Sequence, residues 1–319
     1  MKILLKTVAF LLLVAAIFVA ALLLKAHWGI RQVNPALPTL ETIEELLSIS
    51  EPSGAGSTAV GPRNISYVLN ASQPHPDSDA MTHSSFLFEW QDGRKFLIDL
   101  GMDEAGAVEF GELSETMFGS EKIEFHGTVA DLLGPQAPQV TGVAFTHLHQ
   151  DHTGGAAALC AKSNTVVRVF QSPWQSNWSN HITEMGRKLL DGASCLEFEE
   201  LETESGNTLP GCPGLVAISA GGHTPGSTVY VARVNGKTWV FSGDITNIKD
   251  DILTNTPKAI WYSTLMVPEA PARLEVLRQW LAKLDEKTDY HVVVSHDLEA
   301  LLRSGLPRFE KASREQAPN

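Results

Sequence analysis

Apolar positions along the chain change their rhythm twice. Residues 7–24 (TVAFLLLVAAIFVAALLL) carry no charge, and Lys6 and Lys25 flank them. A run of this length lies between a secretory hydrophobic segment and a membrane span. Residues 1–25 are therefore expected to be a signal anchor or a signal peptide. Val19-Ala20-Ala21 is a weak cleavage site, because apolar residues follow it. A buried core helix that is apolar on every face, next to flanking lysines, would be an unusual arrangement. Lys2 and Lys6 favour a cytoplasmic N-terminus. The rest of the chain then lies on the extracytoplasmic (periplasmic) side, anchored in the membrane or, alternatively, secreted to the periplasm. Residues 26–63 read as a juxtamembrane linker with one short helix. Leu40, Ile43, Leu46 and Leu47 follow Pro35 and Pro38 at helical spacing, and SEPSGAGSTAVGPR then reads as loop.

From residue 64 to 319 the pattern alternates between strand and helix. Residues 64–70 predict a strand; 86–90 and 95–100 predict a hairpin turning at Asp92-Gly93. Residues 140–146 form a short apolar strand, 154–161 a helix, 165–171 a strand and 180–190 a second helix. Strands follow at 215–220, 228–234 and 238–242, with Asn235-Gly236 as a turn between the last two. Leu274, Leu277, Leu281 and Leu284 repeat at helical spacing after Pro271, and 291–295 (HVVVS) is a last buried strand. Two polar stretches read as loops. One is 71–84, in which His75 and His83 either touch substrate or are solvated. The other is 173–181, in which Trp174 and Trp178 either line a pocket or pack ordinarily. Many strands, several hairpins and interleaved helices imply two sheets between layers of helix.

Composition narrows the classes. With 43% hydrophobic and 19% charged residues over 319 positions, the chain is neither disordered nor short of core. The formal charge is −13, and residues 1–25 contribute lysines but no acid, so the remainder is more acidic still. Such a surface repels phosphate backbones, and no nucleic-acid partner is expected. The cysteines, Cys160, Cys195 and Cys212, are too few for a thiolate zinc cluster. In an oxidising compartment either Cys195 and Cys212 pair and leave Cys160 free, or all three are buried thiols. Histidines and carboxylates must hold any metal.

Such a set stands at 146–155, THLHQDHTGG. At a strand end His147 and His149 point to one side of the chain. The turn after them lets Asp151 and His152 point to a second position nearby. Gly154 and Gly155 then permit a helix to start close to the cluster. Imidazoles and a carboxylate at this spacing suit zinc.

With these residues the sequence resembles the metallo-β-lactamase superfamily, whose HxHxDH signature is His147, His149, Asp151 and His152. The resemblance covers about residues 64–300, and further motifs match in order: Asp99 in FLIDLG, His223 in GGHTPGS, Asp244 in FSGDIT and His296 in VVVSHD. It implies an α/β fold, an αββα sandwich, with two Zn(2+) per chain activating a bridging hydroxide. His147, His149 and His223 would hold the first metal; Asp151, His152 and His296 the second; and Asp244 would bridge both. Asp99 is implied as a carboxylate that orients a ligand, and Asp151 as the candidate proton donor to the leaving group.

Among the superfamily's branches, His149 stands where the di-iron oxidoreductases place Glu, which favours zinc hydrolysis. Asp244 counts against a true β-lactamase, which usually lacks a bridging Asp there. Only 23 residues follow His296, fewer than the helical region of a glyoxalase II needs, and Asp297 replaces its usual Glu. The acidic charge does not suit the RNA-processing and phosphodiesterase branches. A lactonase-like hydrolase of a small-molecule ester or lactone is the leading reading. The alternatives are thioester, phosphodiester or β-lactam hydrolysis, a persulfide dioxygenase-like iron enzyme, and a non-catalytic metal-binding protein. One departure stands out: quorum-signal lactonases often carry a Tyr three residues after the bridging Asp, where this chain has Asn247. Tyr262 either supplies that role or packs as an ordinary aromatic.

Overall fold

A computed structural model of the protein describes residues 2–28, 33–48, 61–76, 78–178, 182–202 and 206–310. In chain order the helices and strands begin with α1 (Lys2–Trp28), α2 (Leu40–Ser48), β1 (Asn64–His75), β2 (Ser78–Glu89), β3 (Lys95–Ile98) and α3 (Glu104–Phe118). β4 (Glu124–Phe125), α4 (Val129–Leu133), β5 (Val140–Ala144), α5 (Gln150–Thr153), α6 (Ala156–Lys162) and β6 (Val167–Gln171) follow. Then come α7 (Pro173–Asn177), α8 (Thr183–Asp191), β7 (Leu196–Glu200), β8 (Asn207–Thr208), β9 (Leu215–Ser219) and β10 (Thr228–Val234). β11 (Lys237–Phe241), α9 (Asp250–Thr254), α10 (Pro271–Asp285), β12 (Tyr290–Val293) and α11 (Leu298–Arg303) complete the series.

The strands form a seven-stranded sheet, β4-β1-β2-β3-β5-β6-β7, and a five-stranded sheet, β12-β11-β10-β9-β8. Alternation along each strand gives each sheet two apolar faces. Phe86, Phe88, Phe96 and Ile98 of the first sheet meet Leu215, Tyr230, Trp239 and Phe241 of the second between the layers. The outer face of the first sheet packs under α4, α6 and α8 through Leu133, Leu159 and Leu190. The outer face of the second packs under α10 through Leu274, Leu277 and Leu281. This is the expected αββα sandwich. The Asn235-Gly236 turn joins β10 to β11 with both residues at positive φ (53° and 75°), as a tight hairpin requires.

Two expectations are corrected. Residues 71–75 and 78–84 are not loop but the distal halves of β1 and β2, paired as far as His75 and Ser78. Several of their polar side chains are buried, and Gln73 Nε2 donates to the carbonyls of Gly111 and Glu121. His83 is buried beside Asp151 rather than solvated. The disulfide joins Cys160 to Cys195, with Cα atoms 5.3 Å apart, and Cys212 is the free, buried thiol. Cys160 and Cys195 share the outer face of the first sheet, whereas Cys212 lies between the sheets. The first sheet therefore stands between Cys195 and Cys212. The helix expected over 180–190 runs from Thr183; residues 180 and 181 lie outside the described residues, as does the 50–63 loop as far as residue 60.

The helix expected within 26–63 is α2. Its Ile43 is fully buried against the second sheet, and Glu44 Oε1 accepts from Arg233 Nη2 at 2.6 Å and from the Tyr290 hydroxyl. In α1, the 19 residues Leu4–Leu22 have a mean hydropathy of 2.6 and none is buried, a composition compatible with a membrane anchor or a signal sequence.

Candidate metal centre

The C-terminal end of β5 runs directly into the signature. Thr146 and His147 continue past the strand, His149 occupies the position before α5, and His152 lies inside that helix. Gly155 makes the approach possible: a Cβ there would lie 2.2 Å from the Leu100 carbonyl oxygen. Opposite, Asp99 ends β3 in a left-handed conformation (φ 60°), which Asp tolerates better than most residues. Three contacts hold it there. Its carboxylate accepts from the Thr146 backbone N–H and hydroxyl, each at 2.8 Å, and from His152 Nδ1 at 2.9 Å. His223 follows β9, Asp244 lies in a short turn after β11, and His296 follows β12. The site is thus built at one edge of both sheets.

Two sets of ligand-type atoms converge, each within 4.8 Å: His147, His149, His223 and Asp244, and Asp151, His152, Asp244 and His296. His149 Nδ1 lies 2.9 Å from His147 Nε2 and 3.2 Å from His223 Nε2. Asp244 Oδ2 lies 3.7 Å from His147 Nε2, 3.6 Å from His223 Nε2 and 3.0 Å from His296 Nε2. Asp244 Oδ1 faces His152 Nε2 at 3.5 Å, so this carboxylate belongs to both sets. Asp151 Oδ2 is 3.5 Å from both His152 Nε2 and His296 Nε2.

The outer partners fix the ring tautomers. The Thr82 carbonyl can only accept, so His296 Nδ1 carries the hydrogen of their 2.8 Å contact. The carboxylates of Asp99 and Glu269 likewise accept from His152 Nδ1 (2.9 Å) and His223 Nδ1 (2.6 Å). The Thr146 hydroxyl already donates to Asp99, so at 3.1 Å it accepts from His147 Nδ1. In all four rings the Nε2 lone pair therefore points inward, beside carboxylate oxygens. His152 Nε2 and Asp244 Oδ1 are buried with no hydrogen-bond partner. Converging lone pairs and anionic oxygens in a buried pocket repel one another unless a cation lies among them, so the residues present fit a metal.

Electrostatics follow from burial and from this crowding of carboxylates. Burial, with the neighbouring His223, lowers His149 to about 3. Burial also lowers His147 and, with Lys258 beside it, His223. For His152 and His296 burial is outweighed by the facing carboxylates, Asp151 foremost for the first and Asp244 for the second, and both are raised. Asp151 and Asp244 resist burial and are held far below the ordinary carboxylate range, chiefly by His152 and His296 respectively.

Two neighbours, Glu269 and Lys258, carry no sequence signal, and a third, His83, lies in the stretch expected to be a loop. Glu269, fully buried, accepts from His223 Nδ1 through Oε1 and from the Ser263 hydroxyl through Oε2 at 2.6 Å. Lys258 Nζ, 7% exposed, donates to Glu269 Oε1 and to the Asp244 carbonyl, each at 2.8 Å. Burial raises Glu269, but Lys258 and His223 overcome it and hold it at about 2. His83 Nδ1 stands 3.4 Å from Asp151 Oδ2, and its ring meets that of His296 edge to face at 4.9 Å.

Above the cluster opens a cavity of about 800 Å³. His149, Asp151, Asp244 and His296 contribute to its lining, and so do Phe110, Phe118, Trp261, Tyr262 and Met266. His75 lines it as well, with Nε2 bonded to the Phe118 carbonyl at 2.9 Å. Trp174 and Trp178 do not; they pack edge to face on each other at 4.8 Å. Tyr262 opens a single π-helical turn, Tyr262–Met266, a rare geometry that recurs at functional sites. Burial and the nearby carboxylates, Asp244 first, raise its phenol.

Residues 79–304 match the family model of the metallo-β-lactamase superfamily. The chain belongs to that superfamily and is a metal-dependent hydrolase. Solved structures share the fold at low identity. An N-acyl homoserine lactone hydrolase with the product N-hexanoyl-L-homoserine bound at its catalytic metal center is 16% identical (TM-score 0.54), covering 75% of this chain and 95% of its own. A quorum-quenching N-acyl homoserine lactone lactonase is 14% identical (TM-score 0.55; 75% and 94%). A probable metal-dependent hydrolase from Staphylococcus aureus is 16% identical (TM-score 0.52; 75% and 91%). No curated protein matches the chain by sequence.

Proposed function

We propose that the protein hydrolyses a lactone or another carboxylic ester at a dinuclear zinc site. We further propose that α1 anchors it with the catalytic domain on the extracytoplasmic side. The observation that carries the first reading is the pair of ligand sets sharing Asp244 at the floor of an apolar cavity. His147, His149 and His223 would hold one metal and Asp151, His152 and His296 the other, with Asp244 shared by both sets. When bound, such a pair supplies a Lewis acid for the ester carbonyl and a hydroxide nucleophile at neutral pH. Asp99, Glu269 and the Thr82 carbonyl hold the imidazoles in the tautomer that presents Nε2. Asp151, ionised in the resting site, would accept a proton from the attacking water at a carboxylate oxygen and return it to the departing ring oxygen. Tyr262, which lines the cavity with Asp244, donates its hydroxyl hydrogen to the substrate carbonyl.

The cavity favours a neutral ester over a phosphodiester. Lys258 is its only lysine or arginine among the described residues, and Glu269 already neutralises it. Asp79, Glu109 and Asp251 also line the cavity and would repel a phosphate. The apolar walls suit an acyl chain, and the lactone hydrolase with bound N-hexanoyl-L-homoserine supports the same reading. The test is proton release by the zinc-loaded chain on short and long acyl lactones beside a phosphodiester, a thioester and a β-lactam. Lactone turnover well above the other three is expected; turnover of one of those without lactone turnover overturns the reading.

A further inference from the structure

The chain enters the folded domain at its catalytic edge. Val33 is buried against Gly221 so closely that a Cβ on that glycine would lie 2.4 Å from the Val33 carbonyl oxygen. Gly221 is two residues from His223, and the next residue, Gly222, accepts from the Ala270 backbone N–H at 2.8 Å. Ala270 ends the segment that began at Pro257 and forms one wall of the cavity. Five residue steps separate Trp28, the end of α1, from Val33, so whatever path the chain takes they span at most about 18 Å. The six helical steps from Leu22 to Trp28 add about 9 Å. With α1 in a bilayer, the catalytic edge hangs within about 27 Å of the apolar span.

The mouth of the cavity at that edge is apolar. Ile260 is 84% exposed and Trp261 43% exposed, and the Trp261 ring stacks on Phe118 at the end of α3 with centroids 5.5 Å apart. Leu113, Met185 and Ile248 are exposed around the same opening. A contiguous apolar rim with an indole at its edge suits a membrane–water interface better than open water. Glu109 and Glu112 lie on α3 beside it, so the surface that suits the rim is electrically neutral.

We infer that the rim formed by Phe118, Ile248, Ile260 and Trp261 docks on a zwitterionic lipid surface, so that the cavity takes amphiphilic esters directly from the bilayer. The docking rests on the anchor reading of α1, and the substrate class rests on the hydrolase reading above.

The full chain reconstituted in phosphatidylcholine vesicles tests it. A fluorophore on Ile260→Cys should be strongly quenched by nitroxide-bearing lipid. A fluorophore on Val166→Cys, exposed at the start of β6 and so at the end of the sheet away from the site, should not. Cys212 is buried and the other two cysteines are paired, so the label goes to the introduced thiol. Equal, weak quenching at both positions overturns the docking. In turnover, Ile260→Asp should lose at least tenfold on a long-acyl lactone held in vesicles and keep its rate on a short soluble lactone. Equal rates of loss on both, or no loss on either, overturns the proposal. If the unmodified chain cleaves neither lactone, the hydrolase reading fails and the quenching result alone decides the docking.

Discussion

Glu269 Oε1 lies 2.6 Å from His223 Nδ1 and 2.8 Å from Lys258 Nζ, so a buried carboxylate holds a ring and is itself held by a buried cation. The lysine keeps Glu269 ionised, and an ionised Glu269 keeps the hydrogen on Nδ1 and the Nε2 lone pair inward. Carboxylates behind metal-binding histidines typically contribute about 10–100-fold in affinity. Glu269→Gln is expected to weaken zinc binding at least tenfold, read by competition with a chromophoric chelator. Unchanged affinity would contradict this positioning role.

Asp244 is the carboxylate common to both ligand sets. Asp244→Ala is expected to lose ester hydrolysis by orders of magnitude and to bind fewer metals per chain, while circular dichroism shows the fold intact. Rates like those of the unsubstituted chain would refute its bridging role.

Gly155 meets the Leu100 carbonyl where the signature turns into α6, with 2.2 Å between a built Cβ and that oxygen. A backbone group cannot swing aside as a side-chain end can. Gly155→Ala is expected to destabilise the domain by about 1–3 kcal/mol, the usual cost of overpacking. Thermal unfolding of the metal-free protein measures it without interference from ligand loss.

Docking of α2 carries a pH signature. The Arg233 hydrogen bond outweighs burial and lowers Glu44 below its ordinary value of 4.5. A lowered carboxylate stabilises the folded state above its unfolded value and loses that contribution as pH falls through its folded value. Glu44→Gln is therefore expected to lower Tm at pH 7, with the difference shrinking as pH falls from about 5 towards 3. A difference that grows on acidification would contradict the ion pair's role.

The signature was legible in the sequence because its four ligand-type residues lie within six positions at the end of an apolar strand, where spacing alone places them together. His223, Asp244 and His296 were legible only through resemblance, since distant chain segments bring them in. His83, named in the sequence only as a loop residue that touches substrate or is solvated, was misplaced for a physical reason. The distal halves of β1 and β2 are rich in Ser, Thr and Gln, which read as loop, yet they pair as strands and bury Ser72, Gln73, Thr82, His83 and Ser84. Lys258 and Glu269 stand in no recurring pattern, and only the return of 257–270 along the cavity brings them to His223. The disulfide was misassigned because nothing in the spacing of the cysteines reveals which face of a sheet each one occupies.

The most direct measurement is a zinc titration of the chelator-stripped chain, with bound metal and lactone turnover read on the same sample. Turnover is expected to be absent at the start, to rise with zinc and to level off at about two equivalents per chain, as a dinuclear site requires. Turnover that survives stripping, or activity restored by a single iron and not by zinc, would contradict the dinuclear zinc account.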